Sequence, residues 1–326
     1  MTLRMNLSGT LAAALVLWAA SSSAEPIVAL TIQNQLISFD SATPGSVSPT
    51  LNITGIIAGD TLVGIDFRPS LGSNNGLLYG MGVNLATGSG RIYTLNPTTG
   101  AATPGATLAA DPADTTAPFP FTTVQGTQFG VDFNPMADRL RVTSTTGQNL
   151  RINVDTGLVQ LDGPLAYQSG DPRFGLNPLD VAIAYTNNFG GATSTSLTGV
   201  DISADSDVLV SHTVPNNGTL TTQFGLPFNA TLLSYDISGL TGIPYFAVTS
   251  ADGLVTNLFA RGPNGVVLIG PIGGGAAVLG IAASVGAPIP EPGTLTLLGL
   301  GLLGVAKVRR RMMTKSATEN PEIAAH

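Results

Sequence analysis

Two aspartates share one local sequence and are the first candidates for chemistry. Asp66 lies in Gly-Ile-Asp-Phe-Arg-Pro, and Asp132 lies in Gly-Val-Asp-Phe-Asn-Pro. Carboxylates repeated at one structural position can bind a cation or act as general acid and base. The matching residues later in the chain are Ala184 and Ala282, so the sequence offers no complete ring of carboxylates. We therefore favour the interpretation in which each aspartate accepts backbone hydrogen bonds at a strand end.

A second acidic group comprises Asp201, Asp205 and Asp207, which lie within one predicted turn. Their spacing would let them ligate Ca²⁺, but the glycine and terminal glutamate of an EF-hand loop are missing. The sequence therefore predicts a solvent-exposed acidic turn. We expect no metal and no cofactor, with Ca²⁺ as the one ion that either group of aspartates would suit.

Residues for nucleophilic or metal-dependent catalysis are scarce. The chain has no cysteine, and its two histidines are His212 and the C-terminal His326. A Ser-His-Asp triad through His212 stays open as an alternative, although no Gly-x-Ser-x-Gly elbow accompanies it. Before residue 287 the only glutamate is Glu25. This inventory predicts a protein that is not an enzyme.

The elements that would position these side chains are short strands in a repeat. Apolar residues alternate with a period of two, and turns of the Thr-Gly type separate the runs. Five predicted strand pairs recur at intervals typical of a four-stranded propeller blade. They are 27–31 with 35–40, 77–82 with 91–96, 139–144 with 149–154, 182–186 with 197–201, and 245–249 with 257–261.

The two ends of this repeat predict a closed ring. Residues 278–284 resemble the Gly-Ile-Asp-Phe strand that opens a blade, but no strand pair follows them. Residues 27–40 have the opposite defect, a strand pair without an opening strand. Pairing the two segments would remove both open edges. We predict an all-β propeller of five blades, with six blades and a β-sandwich as alternatives.

Charge is scarce in the predicted repeat domain. The net charge is −7 at pH 7, and the only lysines, Lys307 and Lys315, lie near the C-terminus. A domain that is acidic and free of lysine has no basic face for phosphate contacts. We therefore expect no nucleic-acid partner.

Residues 1–24 are predicted to be a signal peptide. Arg4 supplies the positive charge, residues 11–20 form an apolar run, and Ser22-Ser-Ala24 provides small residues for cleavage after Ala24. A ten-residue helix reaches only ~15 Å, against ~30 Å of hydrocarbon, so a permanent span is not expected. A buried first helix is the alternative. The repeat domain would then cover residues 25–286.

The C-terminal region departs from the strand pattern. It contains Pro290-Glu291-Pro292, a Gly-Leu-rich apolar run over 294–306, and the cluster Arg309, Arg310 and Arg311. These three parts, in this order, resemble the PEP-CTERM sorting signal of Gram-negative bacteria. The resemblance implies recognition by an exosortase, transient residence in the inner membrane and removal of the tail. We assign 287–311 to the sorting tail and 312–326 to a disordered extension, which such tails usually lack.

The repeat domain resembles a group of propeller-like bacterial domains of unknown function. The resemblance rests on Gly-x-Asp-Phe-x-Pro and on Thr-Gly-Gln-Asn-Leu-Arg at 146–151. Taken together, the chain is predicted to be exported and then either displayed at the cell surface or released. We expect a non-enzymatic binding or structural component of the extracellular polysaccharide or biofilm matrix, with exopolysaccharide or another surface protein as partner. The alternative is a calcium-dependent, lactonase-like propeller hydrolase.

Overall fold

Five β-sheets surround one axis and form the blades of a propeller. The structure, a computed structural model, describes residues 24–287, apart from 203–205, 251, 252, 254, 274 and 276. The helix within this part of the chain is the single 3-10 turn Pro215–Asn217. No helix among the described residues has the length and apolar character needed to cross a membrane. The predicted signal peptide up to residue 23, the sorting residues 288–311 and the extension 312–326 lie outside the described residues.

The strands are numbered in chain order and grouped by their pairing. Blade one contains β1 (Pro26–Thr31), β2 (Gln35–Asp40) and β3 (Leu51–Asn52). Blade two contains β4 (Thr61–Phe67), β5 (Leu78–Asn84), β6 (Ser89–Leu95) and β7 (Ala102–Thr107). Blade three contains β8 (Ala109–Ala110), β9 (Phe129–Asn134), β10 (Arg139–Ser144), β11 (Asn149–Ile152) and β12 (Leu158–Leu161). Blade four contains β13 (Ala166–Tyr167), β14 (Asp180–Tyr185), β15 (Leu197–Asp201), β16 (Val208–Val214) and β17 (Thr219–Gly225). Blade five contains β18 (Leu232–Ile237), β19 (Pro244–Thr249), β20 (Thr256–Gly262) and β21 (Gly265–Pro271), and the last strand, β22 (Val278–Ala283), joins blade one.

Each blade is built outward from one innermost strand. These strands are β22, β4, β9, β14 and β18 for blades one to five, and neighbours among them contact each other around the axis. Successive strands within a blade are antiparallel. Blades three and four each add a short strand, β8 or β13, parallel to the outer strand.

The ring is closed by strands from opposite ends of the chain. β22 pairs antiparallel with β1, with Ala283 opposite Ile27 and Ile281 opposite Ala29. This pairing confirms the predicted closure and gives β1 a partner strand on each side, β22 and β2. The five sheets also confirm the five-bladed propeller and exclude the β-sandwich.

Turn residues in the sequence explain where strands end. After β6, the side-chain oxygen of Asn96 accepts hydrogen bonds from the backbone of Thr98 and Thr99, at 2.9 and 3.0 Å. Gly100 then adopts a φ of 75°, a left-handed conformation that glycine tolerates without strain. Asn153 and Gly157 repeat this arrangement in blade three. These are the Thr-Gly turns expected from the sequence.

Packing between blades supplies the core. Strands near the axis are covered on both faces, and in β14 every residue is buried. Apolar side chains of neighbouring blades pack together, for example Tyr79 of blade two with Phe133 of blade three, whose ring centroids are 5.4 Å apart. Such strands lose the alternation of half-exposed sheets and appear as continuous apolar runs.

All five predicted strand pairs form, but one occupies a different place in its blade. The pair of β14 and β15 is the innermost and second strand of blade four. In the other blades the predicted pair is the second and third strand. The displacement arose because β16, the third strand of blade four, was among the strands not identified from the sequence, as was β18, the innermost strand of blade five.

Candidate functional site

The innermost strands bring one residue each to the same level of the axis. These residues are Asp66, Asp132, Ala184, Asp236 and Ala282, and each aspartate accepts a hydrogen bond from the innermost strand of the next blade. The sequence had identified four of them, including both alanines. It missed Asp236, whose strand has Ser-Tyr-Asp-Ile where the motif has Gly-[Ile/Val]-Asp-Phe.

Small residues allow the innermost strands to approach closely. A Cβ atom on Gly64 would lie 2.5 Å from the Val131 side chain, and one on Gly130 would lie 3.0 Å from the backbone nitrogen of Ile183. The axis is therefore nearly filled. A cavity of about 10 Å³, room for about one water molecule, lies between the innermost strands and is lined by residues that precede the aspartates, such as Gly64, Gly130 and Ser234.

Asp66, Asp132 and Asp236 form a cluster, which we name the axial carboxylates. Each is 1% exposed, and one oxygen from each lies within 4.8 Å of the others. Asp66 accepts hydrogen bonds from the backbone nitrogens of Phe67 and Phe133, at 2.7 and 2.8 Å. No ion pair among the described residues involves any of the three. The cluster therefore brings negative charge together without a cationic side chain.

It is electrostatically unfavourable for all three axial carboxylates to be ionised at once, because they are buried and close together. Burial raises the pKa of Asp66 to about 7, despite backbone hydrogen bonds that lower it. Burial also raises the pKa of Asp132 and of Asp236 well above the usual range, and the charge of Asp66 adds to both shifts. Such groups are neutralised by protons or by a bound cation.

A short segment after β14 covers the axis beyond these carboxylates. The carbonyl of Asn188 accepts a 2.8 Å hydrogen bond from Gly286, which follows β22 of blade one. A Cβ atom on Gly239, after β18, would collide with the same carbonyl, and one on Gly190 would collide with the carbonyl of Ser70, after β4. A segment that leaves blade four and touches blades five, one and two must cross the mouth of the axis.

Asn188 is the buried residue of this covering segment. It is 1% exposed, and neither its amide oxygen nor its amide nitrogen has a hydrogen-bond partner among the described residues. An unpaired buried amide is costly, so it indicates either a missing ligand or an ordered water. Nothing in the sequence distinguished Asn188 from other loop asparagines.

The second acidic group is arranged differently from the expectation. Asp201 and Asp207 are buried, at 1% and 2% exposure, and not in a solvated turn. Asp201 accepts hydrogen bonds from the Tyr167 hydroxyl and from Leu179 N, and Asp207 accepts one from Ala230 N. Asp205 lies outside the described residues. Among the described residues, only the axial carboxylates bring three His, Cys, Asp or Glu side chains together.

His212 is paired with Asp180, a residue that the sequence had not suggested. Its Nε2 lies 2.6 Å from Asp180 Oδ2, and both side chains are completely buried. Burial raises the pKa of Asp180. The other ring nitrogen of His212 has no partner in the described part of the chain, so no serine there completes a triad with it.

The predicted processing sites lie at the borders of the described chain. Ala24 is exposed, and Glu25, which follows it, is 2% exposed and hydrogen bonded to blade five. The folded domain thus starts at Glu25, which is compatible with cleavage after Ala24. The cleavage itself stays a prediction. The sorting residues Pro290, Glu291, Pro292 and Arg309–Arg311 lie outside the described residues.

Comparison with known proteins gives two family matches. The family described as Domain of unknown function (DUF4394) matches residues 35–282, and the PEP-CTERM protein-sorting motif matches residues 288–311. The sorting motif is the signal recognised by exosortases, and it marks the chain as an exported protein sorted to the cell envelope or surface. No curated protein matches.

Solved structures with similar folds are distant in sequence. The nidogen/laminin complex shares 9% identity, with a TM-score of 0.44 over 80% of this chain and 98% of that one. A putative 6-phosphogluconolactonase from Bacteroides uniformis shares 15%, with a TM-score of 0.39 over 76% and 82%. A putative 6-phosphogluconolactonase from Bacteroides fragilis shares 14%, with a TM-score of 0.34 over 79% and 69%.

Proposed function

The chain belongs to the family described as Domain of unknown function (DUF4394), and we propose that it is a non-enzymatic component of the extracellular polysaccharide or biofilm matrix. In this proposal the propeller binds a neutral glycan after export. The observation that carries it is an open, uncharged cleft in blade two.

The cleft has the size and chemistry of a carbohydrate subsite. Its volume is about 490 Å³, within the usual range for ligand sites. Three threonines and one asparagine line it together with apolar residues, and no lining residue is charged. The polar lining residues are Thr94, Asn96, Thr98 and Thr103. Hydroxyl and amide groups beside apolar surface suit neutral sugars, which present hydroxyls and C–H faces.

The sorting motif supports a role outside the cell. A protein delivered to the cell surface is in contact with polysaccharide and other surface proteins, and it is separated from cytoplasmic metabolites. The scarcity of charged residues, 10% of the chain, also suits contact with an uncharged polymer.

The hydrolase alternative would use the axial carboxylates as its centre. A calcium-dependent lactonase needs substrate to reach the metal and a general base beside it. Here the three carboxylates are 1% exposed, and the segment around Asn188 lies across the axis. This geometry favours the non-enzymatic proposal over the hydrolase.

Glycan binding can be tested with two blocking variants and one matched control. Thr98→Arg and Thr103→Arg would place long charged side chains on the lining of the cleft. Thr213→Arg makes the same change at an exposed position of blade four. We expect wild-type protein and Thr213→Arg to bind neutral exopolysaccharide from the native host in affinity electrophoresis. Each cleft variant should bind at least tenfold more weakly.

Two results would contradict the proposal. One is the absence of binding to any neutral fraction of host polysaccharide by wild-type protein. The other is unchanged binding by both cleft variants, which would remove the cleft from the proposal. Lactone hydrolysis by the wild type, lost in Asp132→Asn, would favour the hydrolase instead.

A further inference from the structure

We propose that the axial carboxylates and the amide oxygen of Asn188 bind one divalent cation of the calcium class on the propeller axis. The site is independent of glycan binding in blade two. Its role would be to join the blades across the axis, not to contact a substrate.

The first observation is the fixed geometry of the carboxylates. Backbone nitrogens of Ile237 and Ala283 each donate a 2.6 Å hydrogen bond to Asp236, one to each oxygen. Tyr185 N donates a 2.8 Å hydrogen bond to Asp132. A carboxylate oxygen has two lone pairs, so these bonds orient the groups and leave lone pairs free for a cation. The neighbouring blades thus hold three anionic ligands in place before any ion binds.

The second observation is Asn188, which points to a ligand independently of the charges. It occupies the position four residues beyond Ala184 on the innermost strand, as Ser70 does beyond Asp66. Its amide is enclosed, without a partner among the described residues, in the segment that covers the carboxylates. The Ser70 hydroxyl at the same end of the axis is also buried and unpaired. Buried polar groups without partners collect where a ligand or water is needed.

The donor set identifies the class of ion. Carboxylate and amide oxygens are hard ligands and suit Ca²⁺, whereas structural zinc sites use sulfur and nitrogen. Mg²⁺ demands near-ideal octahedral geometry and usually keeps several of its waters. Ca²⁺ tolerates irregular geometry and is therefore the better fit.

Occupation of the site would cross-link the ring. Asp66, Asp132 and Asp236 belong to blades two, three and five, and Asn188 follows the innermost strand of blade four. A cation shared by four blades stabilises the closed ring only in the folded state. Its effect should therefore grow with the logarithm of the free ion concentration.

The test uses the secreted protein, stripped of metal by a chelator and dialysed at pH 7.5. Bound metal is measured by mass spectrometry after reloading with Ca²⁺, Mg²⁺ or Mn²⁺ alone, and the midpoint of thermal unfolding is measured with each ion. Asp236→Asn keeps an oxygen acceptor but removes a charge, and Asn188→Ala removes only the unpaired amide. Asp40→Asn, at the partly exposed end of β2, is the matched control.

We expect one Ca²⁺ per wild-type chain and a rise in the unfolding midpoint with Ca²⁺ that exceeds the rise with Mg²⁺. Asp236→Asn should lose the Ca²⁺-dependent rise, Asn188→Ala should bind Ca²⁺ at least tenfold more weakly, and Asp40→Asn should behave as the wild type.

Absence of stoichiometric metal and of any midpoint shift in wild-type protein would overturn the proposal, leaving protons as the neutralising species. An unchanged shift in both Asp236→Asn and Asn188→Ala would overturn it as well. If Asp236→Asn does not fold, Asn188→Ala decides, because its side chain holds no hydrogen bond among the described residues.

Discussion

The Tyr245 hydroxyl of blade five donates a 2.8 Å hydrogen bond to the carboxylate of Glu25, 220 residues earlier in the chain. Ser238 and Thr241 donate to the same carboxylate, at 2.5 and 2.8 Å. Glu25 directly precedes β1, so these bonds fasten the first blade to the last. They reinforce, with side chains, the closure that β22 makes with backbone hydrogen bonds.

Replacing Glu25 with alanine should weaken this seam. The three hydroxyls would lose a buried acceptor, and an unsatisfied buried group costs about 1–3 kcal/mol. We expect Glu25→Ala to lower the free energy of unfolding by roughly 2–4 kcal/mol. Urea denaturation would measure the loss. Gln33→Ala, at an exposed position in the turn after β1, is the control and should change stability by less than about 0.5 kcal/mol. Equal stability of the two variants would show that the seam does not depend on Glu25.

Removing β22 should open the ring itself. A chain ended after Gly275 loses the strand that pairs with β1, so blade one keeps an unpaired inner edge. We expect a lower unfolding midpoint and rapid proteolysis within residues 27–40, detected by mass spectrometry of limited digests. Full protection of that region in the truncated chain would contradict the prediction. A chain ended after Gly286 keeps β22 and is the control.

The sequence predicted the blades better than the site, for physical reasons. Strand alternation and Asn-x-x-x-Gly turns are local signals, which is why β5, β6, β10 and β11 could be placed. Asp236 was missed because Ser234 and Ile237 replace the glycine and phenylalanine of the motif. Asn188 and the Asp180–His212 pair depend on contacts between distant segments, which no local pattern encodes.

Arg68 joins blades two and three and offers a second test of the ring. Its buried guanidinium donates to Asp138 and Asp155, with shortest distances of 2.7 Å to each. The pairing holds the pKa of Asp155 below its usual value. Arg68→Met should cost roughly 2–4 kcal/mol, because a charged bidentate contact and its packing are lost together. Arg139→Met is the control, since Arg139 donates only to backbone carbonyls of its own turn. Chemical denaturation of both variants would measure the loss in the free energy of unfolding. Equal losses would contradict the assignment of Arg68 to a stabilising contact between the two blades.

Asp207 gives the protein a pH-dependent stability that runs opposite to ordinary acid denaturation. Burial raises its pKa to about 6 from 3.8, while Ala230 N and the charge of Arg173 lower it and Asp201 raises it. Because the folded state binds the proton more tightly, this contribution is complete below about pH 4 and is lost as the pH rises through about 6.

Asp207→Asn should remove that dependence. The amide still offers an oxygen to Ala230 N but carries no charge at any pH. We expect the variant to exceed the wild type by about 2–3 kcal/mol at pH 8 and to match it near pH 4. Urea denaturation at pH 4, 6 and 8 would measure the difference. A difference independent of pH would show that Asp207 does not titrate in this range.

The C-terminal tail is the subject of the last prediction. Thirteen residues from Thr294 to Ala306 would give ~20 Å of helix, against ~30 Å of hydrocarbon, so the segment is too short for a stable anchor. Arg309–Arg311 would remain cytoplasmic by the positive-inside rule, and the prolines at 290 and 292 would keep Glu291 on extended backbone. A short anchor beside an accessible site suits temporary retention followed by cleavage.

We therefore expect mature protein from the native host to begin at Glu25 and to lack everything after about Pro292, as measured by intact-mass spectrometry of the surface and extracellular fractions. A variant with Pro290, Glu291 and Pro292 changed to alanine should keep its tail uncleaved, and extracellular wild-type chains that still end at His326 would contradict the prediction.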